Sequence, residues 1–494
     1  MAQAVAGFQE RLIEVGATGS ERPAVAPAGE DKAFRSYDPD QVLLMAPVLS
    51  EWVPEGDLAH FVSDLVETSL DLGAIYASYE SERGFPPYDP RLMLKLLIYG
   101  YATGTPSSRK LEQASYRDVA VRMLCADQHP DYRSIARFRR RHLEALAELF
   151  VQALRLCKEA GLVKLGTLAL DGTKLRANAS RHKAMSFERM VKAEEELAAE
   201  IEAMRQTAAE LLEGAEQTDQ AEDERYGPDL RGDELPAELA RRESRLARIR
   251  EAKAALEAEA DERERARHAA AAAEGRELRK PHPDEEPPVP KPTAQRNFTD
   301  PESRIMKTSD GSFHQCFNGQ AVVDEQAQVI VAADASNQAP DCPQLKGALE
   351  QLAENLQAVG LKLPEDAALT ADAGYFSEDN VEIAEGHGLD PYIATGRQKH
   401  SDPPPIAPRG PIPKDATPKQ RMARKNRTKK GQDTYRRRKT IVEPVFGQMQ
   451  TVQGAKHLLL RGKDAANAQW RFNCAIHNLL KLHRAGGLAL ARAG

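Results

Sequence analysis

Three acidic residues, Asp171, Asp372 and Glu443, stand where carboxylates could converge on one point. Asp171 closes the short apolar run Thr167-Leu168-Ala169-Leu170 and is followed by Gly172; Asp372 closes the run from Ala367 to Ala371 in the same way. Short apolar runs bounded by turn residues suit buried strands, so each aspartate is expected at a strand's end, facing a cleft. Three carboxylates held together repel, and some stay protonated at neutral pH unless a cation is present. Hard oxygen ligands suit Mg²⁺ or Mn²⁺ and leave room for water and a substrate phosphate. Two such ions about 4 Å apart activate an attacking hydroxyl and stabilise the leaving oxygen of an in-line phosphodiester displacement. Taken singly, Asp-Gly, Ala-Asp-Ala and Val-Glu-Pro are weak signals, because most such acids cap helices or fill turns.

The elements that must position these acids follow from the same patterns. β-Rich runs at Gln315 to Val323 and Gln328 to Ala335 read as a hairpin, and Leu345 to Leu356 as an amphipathic helix. The strand ending in Asp372 precedes a helix from about Ser377 to Gly386 and a strand from Asp390 to Thr395. A helical segment from Tyr435 carries Glu443, with Pro444 predicting a kink or a helix start, and Gln469 to Arg484 forms a last helix. A mixed sheet with two aspartates at strand ends sets both on one edge, and a helix crossing that edge adds the third acid.

The remaining chain divides by composition. Residues 1–33 mix Ala, Gly, Pro and charge without periodicity and read as a disordered tail. Residues 34–150 read as an all-α N-terminal domain. Its string from Ser134 to His142 turns Ile135 and Phe138 inward and Arg137, Arg140 and Arg141 outward. With Arg139 beside them, these fit a helix-turn-helix docking on DNA, although an ordinary solvated helix has the same spacing. Residues 160–181, 295–395 and 435–487 make up the core. Residues 182–294 interrupt it with two heptad arms, Met190-Leu197-Ile201-Met204-Ala208-Leu211 and Leu239-Leu246-Ile249-Leu256, around a polar break at Glu213 to Pro236, and with a proline-rich return. They predict an antiparallel helical hairpin of the kind that serves as a spacer or dimer contact.

Charge is segregated, so the net −7 misleads. Glu188 to Glu286 carries 17 basic and 29 acidic residues, whereas Arg397 to Lys439 carries 15 basic and 3 acidic ones. The second segment is the candidate polyanion contact. It includes a basic proline-rich insert at 396–434 with Arg424, Lys425, Arg427, Lys429 and Lys430; Lys174 adds a cation close to Asp171. No run approaches the roughly 18 apolar residues of a membrane span, and no export signal opens the chain. Five widely spaced cysteines without a Cys-x-x-Cys pair point to a reducing cytoplasm and away from structural zinc. No Gly-x-x-x-x-Gly-Lys loop or Gly-x-Ser-x-Gly elbow occurs, so no nucleotide cofactor is expected. His314, His387 and His477 are scattered and expected to hydrogen-bond locally.

Several motifs, taken in order, carry a resemblance. They are Leu170-Asp171-Gly172-Thr173, Asp300-Pro301-Glu302-Ser303, Asn318-Gly319-Gln320, Thr370-Ala371-Asp372-Ala373-Gly374-Tyr375 and the stretch from Tyr435 to Gln448. Together they resemble bacterial insertion-sequence transposases of the DDE type, nearest the insertion-sequence eleven-eighty-two group, over nearly the whole chain. The resemblance implies an α/β, RNase H-like mixed-sheet catalytic core with Asp171, Asp372 and Glu443 as the acidic triad. It also implies nicking at element ends and joining of the freed 3′-hydroxyls to target DNA, by a homodimer or higher assembly on double-stranded DNA. Related chains show a Tyr, an Arg three residues on, a Glu four further and a Lys seven beyond that. Here Tyr435 and Arg438 keep the first spacing, Glu443 falls one residue late with Lys439 in the Arg place when counted back, and Gln450 stands for the Lys. Tyr435, Arg438 and Lys439 are the implied DNA contacts. A catalytically silent DNA-binding protein and a purely hydrolytic nuclease remain the competing readings at this point.

Overall fold

The computed structural model describes residues 48–79, 87–180, 183–222, 234–273, 289–396, 409–410, 412–413 and 415–493. The tail at 1–33, the tip between the helical arms, most of the proline-rich return and much of the proline-rich half of the basic insert lie outside them. Helices come first: α1 (Leu49–Trp52), α2 (Leu58–Thr68), α3 (Gly73–Ala77), α4 (Pro90–Ala102), α5 (Ser108–Arg117), α6 (Val119–Leu124), α7 (Tyr132–Arg141) and α8 (Leu143–Glu159). Asp57, Asp89, Asp118 and Asp131 each accept from an amide of the turn they open, satisfying donors no intrahelical carbonyl reaches.

Then follow β1 (Thr167–Arg176), β2 (Ala184–Ser186), α9 (Phe187–Glu222), α10 (Glu234–Ala273), β3 (Gln295–Asn297), β4 (Arg304–Lys307), β5 (Phe313–Asp324) and β6 (Ile330–Ser336). After these come α11 (Gln344–Ala358), β7 (Ala368–Ala371), α12 (Glu378–Gly386), β8 (Asp390–Ile393), α13 (Pro418–Arg427), α14 (Lys429–Thr451), α15 (Lys463–Ala485) and α16 (Leu488–Ala493).

The sheet runs β5-β1-β7-β8, with β4 and β6 both paired to β5. β5 is antiparallel to β1 and β6, whereas β7 and β8 lie parallel to β1. Parallel neighbours need crossovers, and α11 and α12 supply them. Every residue of β7 is buried, as a strand covered on both faces requires.

Apolar faces of helices on both sides of the sheet in sequence close a single core. Leu146, Leu149, Phe150, Ala153 and Leu154 of α8 share it with Trp470, Phe472, Ile476 and Leu479 of α15. Tyr101 meets Phe472 edge-on at 4.9 Å, and the Cys157 thiol donates to the Asn478 carbonyl at 3.4 Å. His477, buried in α15, meets the Gln328 carbonyl at 3.0 Å, and burial pushes its imidazole down to about 4. Among the described residues no helix is long and apolar enough to cross a membrane.

Four expectations change in detail. β1 does not stop at Asp171 but runs on to Arg176, because β5 pairs with it as far as Arg176↔Cys316. The basic insert is not loop throughout: a capping box of Thr417 and Gln420 starts α13, and α14 starts at Lys429 rather than Tyr435. Pro444 neither starts nor ends a helix. Its missing amide frees the Thr440 carbonyl, which accepts from Gln328 Nε2 at 2.8 Å instead. The polar break between the arms is narrower than Glu213 to Pro236, since α9 continues to Glu222 and α10 resumes at Glu234. Met190, Leu197, Ile201, Leu246, Ile249 and Leu256 are buried between α9 and α10. Glu194 meets Arg250 and Lys253 while Arg205 meets Glu243, so these two helices run antiparallel.

Candidate active site

The register of the central parallel pair brings Asp171 and Asp372 together. β1 and β7 are aligned from Thr167↔Ala368 to Leu170↔Ala371, so the residue that follows on each strand is an aspartate. β7 ends there. Asp372 opens a short 3-10 turn, Ala373–Tyr375, by accepting from the Gly374 amide at 2.8 Å. Asp171 accepts from the Gly172 amide at 2.8 Å on one oxygen and from Arg438 Nη1 at 2.6 Å on the other. Burial pushes the Asp171 carboxyl up to about 6; Arg438 opposes the rise and the neighbouring Asp372 charge adds to it.

Arg438 comes from α14, which lies across this end of the sheet. Its side chain is 12% exposed, the carboxylate of Asp171 20%, and its Nε is buried without a partner among the described residues. The Tyr435 ring lies 6.0 Å from the guanidinium, one turn earlier on the helix. Further along, Gln450 Nε2 donates to Thr173 Oγ1 at 2.9 Å, two residues beyond Asp171 on β1. Gln450 therefore docks α14 onto β1. Glu443 is exposed and meets no hydrogen-bond donor among the described residues. It shares the flank of α14 with Phe446 and Gln450, at three- and seven-residue steps. Among the described residues no three His, Cys, Asp or Glu side chains stand close enough to hold one metal ion. The two aspartates are the assembled part of the donor set, and their hard oxygens fit a divalent cation.

The basic residues separate into free and occupied. Arg137 and Arg140 are exposed on α7, as are Lys429 and Lys439 on α14; Arg427 is exposed with its Nε donating to the Ala423 carbonyl at 3.2 Å, and Lys430 pairs with Asp390 at 3.7 Å. Arg139 is a correction: it is buried, donates to the Pro106 carbonyl at 2.6 Å and lies over the Tyr101 ring. Lys425 is another, paired with Asp390, donating to the Pro391 carbonyl at 2.8 Å and seated over Tyr392. Arg141 donates to the Ser78 carbonyl over the Tyr79 ring, and Arg424 to the Gly410 carbonyl. Lys174 pairs with Asp341 at 3.1 Å. Asp341 is the residue that sequence reasoning passed over; the glycines after both aspartates were its available signal.

A mixed sheet with two adjacent aspartates at the end of its central parallel pairing, crossed there by a cationic helix, fits the RNase H-like fold that a transposase DDE domain implies. Residues 47–141 match the Transposase domain (DUF772) and residues 279–479 the Transposase DDE domain, together more than half of the chain. The chain belongs to the insertion-sequence DDE transposases, metal-dependent polynucleotidyl transferases. No curated protein and no solved structure matches it. The DDE match contains Asp372 and Glu443 but starts beyond β1, so Asp171 joins it through strand pairing alone.

Proposed function

We propose that Asp171, Asp372 and Glu443 form the acidic triad of this transposase, that it nicks element ends and joins the freed 3′-hydroxyls to target DNA. The observation that supports this most is the β1–β7 register, which makes both aspartates successors of one aligned pair. The family uses divalent metal ions; two Mg²⁺ or Mn²⁺, when bound, would activate the attacking hydroxyl and stabilise the leaving oxygen. The chain's residues do the rest. Asp171 and Asp372 would offer fixed carboxylate oxygens to the ions, and Glu443, on the flank of α14, would supply the third carboxylate. Arg438 neutralises Asp171, and with a cation on that carboxylate it would be free to meet a phosphate with Tyr435 and Lys439. The same reading places the chain in the eleven-eighty-two group, acting in the cytoplasm as a dimer or larger assembly that holds two ends at once. It also makes α9 and α10 a hairpin inserted into the core.

A labelled element end incubated with target plasmid and Mn²⁺ tests the triad. Wild type is expected to give joined product and Glu443→Gln none; equal joining by both would take Glu443 out of the site. The DNA path is tested by salt. Each phosphate contact removed lowers the slope of log affinity against log salt by about one. Arg427→Gln, Lys429→Gln and Lys439→Gln should each do so, whereas Lys425→Gln should leave the slope unchanged, its charge being held by Asp390. A slope unmoved by all four would make this helix pair a solvated surface.

A further inference from the structure

We propose that Asp341 is a positioning residue that braces strand β1 behind Asp171 and the turn opened by Asp372. This rests on the assignment of Asp171 and Asp372 to the metal. Asp341 lies between β6 and α11, just ahead of a helix, where an aspartate would ordinarily cap. Its carboxylate accepts no amide of that helix. Its Oδ1 instead accepts from Asn318 Nδ2 at 2.8 Å, Lys174 Nζ at 3.1 Å and Gln320 Nε2 at 3.2 Å. Gly172 and Lys174 occupy the face of β1 opposite Asp171, by strand alternation. Asp341 thus acts on the aspartates from behind, through backbone.

Gly172 leaves room for this carboxylate, and Gly374 lies in ordinary contact with it. A methyl group on Gly172 would lie 3.1 Å from Asp341 Oδ1 and 2.5 Å from Gln320 Nε2. One on Gly374 would lie 3.6 Å from Asp341 Oδ2 and 3.0 Å from Asp372 Oδ1. The Asp372 turn is tied to the same cluster by further bonds. The buried Tyr375 hydroxyl donates to Gln320 Oε1, whose amide nitrogen bonds Asp341. Asn380 Nδ2 donates to the Cys342 carbonyl at 2.8 Å and to the Tyr375 carbonyl at 2.7 Å, joining the Asp341 loop to the Asp372 turn. Without the Asp341 charge, Lys174 loses its anion and the bonds from the two amides lose their charge-assisted strength. The spacing between Asp171 and Asp372 is then no longer held.

Outer-shell partners of metal ligands typically matter by 10- to 100-fold in affinity, and Mn²⁺ calorimetry on the full chain reads that directly. Asp372→Asn should abolish measurable Mn²⁺ binding. Asp341→Asn should weaken it by about 10- to 100-fold with element-end binding unchanged, and Tyr375→Phe should weaken it less, in the same direction. If Asp341→Asn fails to fold, Tyr375→Phe, which loses one hydroxyl, decides alone. Wild-type Mn²⁺ affinity in the folded Asp341 and Tyr375 variants, with binding lost in Asp372→Asn, would overturn the bracing role and leave the metal assignment standing. Wild-type affinity in Asp372→Asn would overturn the assignment itself.

Discussion

Asp372→Asn is expected to hold its element ends and fail to cut them. The substitution keeps shape: an asparagine Oδ1 still accepts from the Gly374 amide, the bond that opens the 3-10 turn. What it removes is a negative charge beside Asp171. Metal-assisted stabilisation of a phosphoryl oxygen is worth several kcal/mol, and at 1.36 kcal/mol per tenfold that is about a thousandfold in rate or more. End binding draws on Arg and Lys contacts elsewhere and should change little. The measurement is a mobility shift and a cleavage gel on one labelled element end in Mn²⁺. Comparable cleavage by variant and wild type would sink the role given to Asp372.

The two aspartates were legible because their signal is local: an apolar run, an acid, a small residue. What lies downstream of Asp171 was not, since Gly172-Thr173-Lys174 reads as a turn by itself. Only β5, more than a hundred residues away, holds it extended. Long-range partners also separate cations that look alike in sequence. Arg139 and Arg140 are adjacent, yet one is buried against Pro106 and the other is exposed. Lys425 and Lys429 differ in the same way, through Asp390. The heptad seam was readable because its partner helix follows within the same stretch. Pro444 pointed correctly to a break in helix hydrogen bonding, but its repair by Gln328 depends on a loop far back in the chain. Asp341 looked like one more loop acid, and only the fold sets it against Gly172 and in the hydrogen bonds of Asn318, Gln320 and Lys174.

Arg438→Met should cost the metal-free protein about 3 kcal/mol at pH 8, as expected when one member of a largely buried ion pair is removed. The pair is close, 2.6 Å, and little exposed. The pH dependence fixes the cause. The folded Asp171 carboxyl titrates at about 6, above the ordinary unfolded value of about 3.9. The folded state therefore binds more protons between these values, and stability falls as pH rises through that window. Removing Arg438 raises the folded value further, so the fall becomes deeper and extends to higher pH. At pH 5 the carboxyl is mostly protonated with or without Arg438, and the substitution should cost little. Urea unfolding at pH 5 and pH 8 measures the difference; an equal loss at both would mean that Arg438 acts by packing alone. A cation taking the guanidinium's place should restore stability, by about 2.7 kcal/mol at a hundred times its dissociation constant. Mn²⁺ should thus raise the pH 8 midpoint of Arg438→Met more than that of wild type, where it must first displace the arginine. A smaller rise in the variant would mean that Arg438 and the ion do not compete for the same carboxylate.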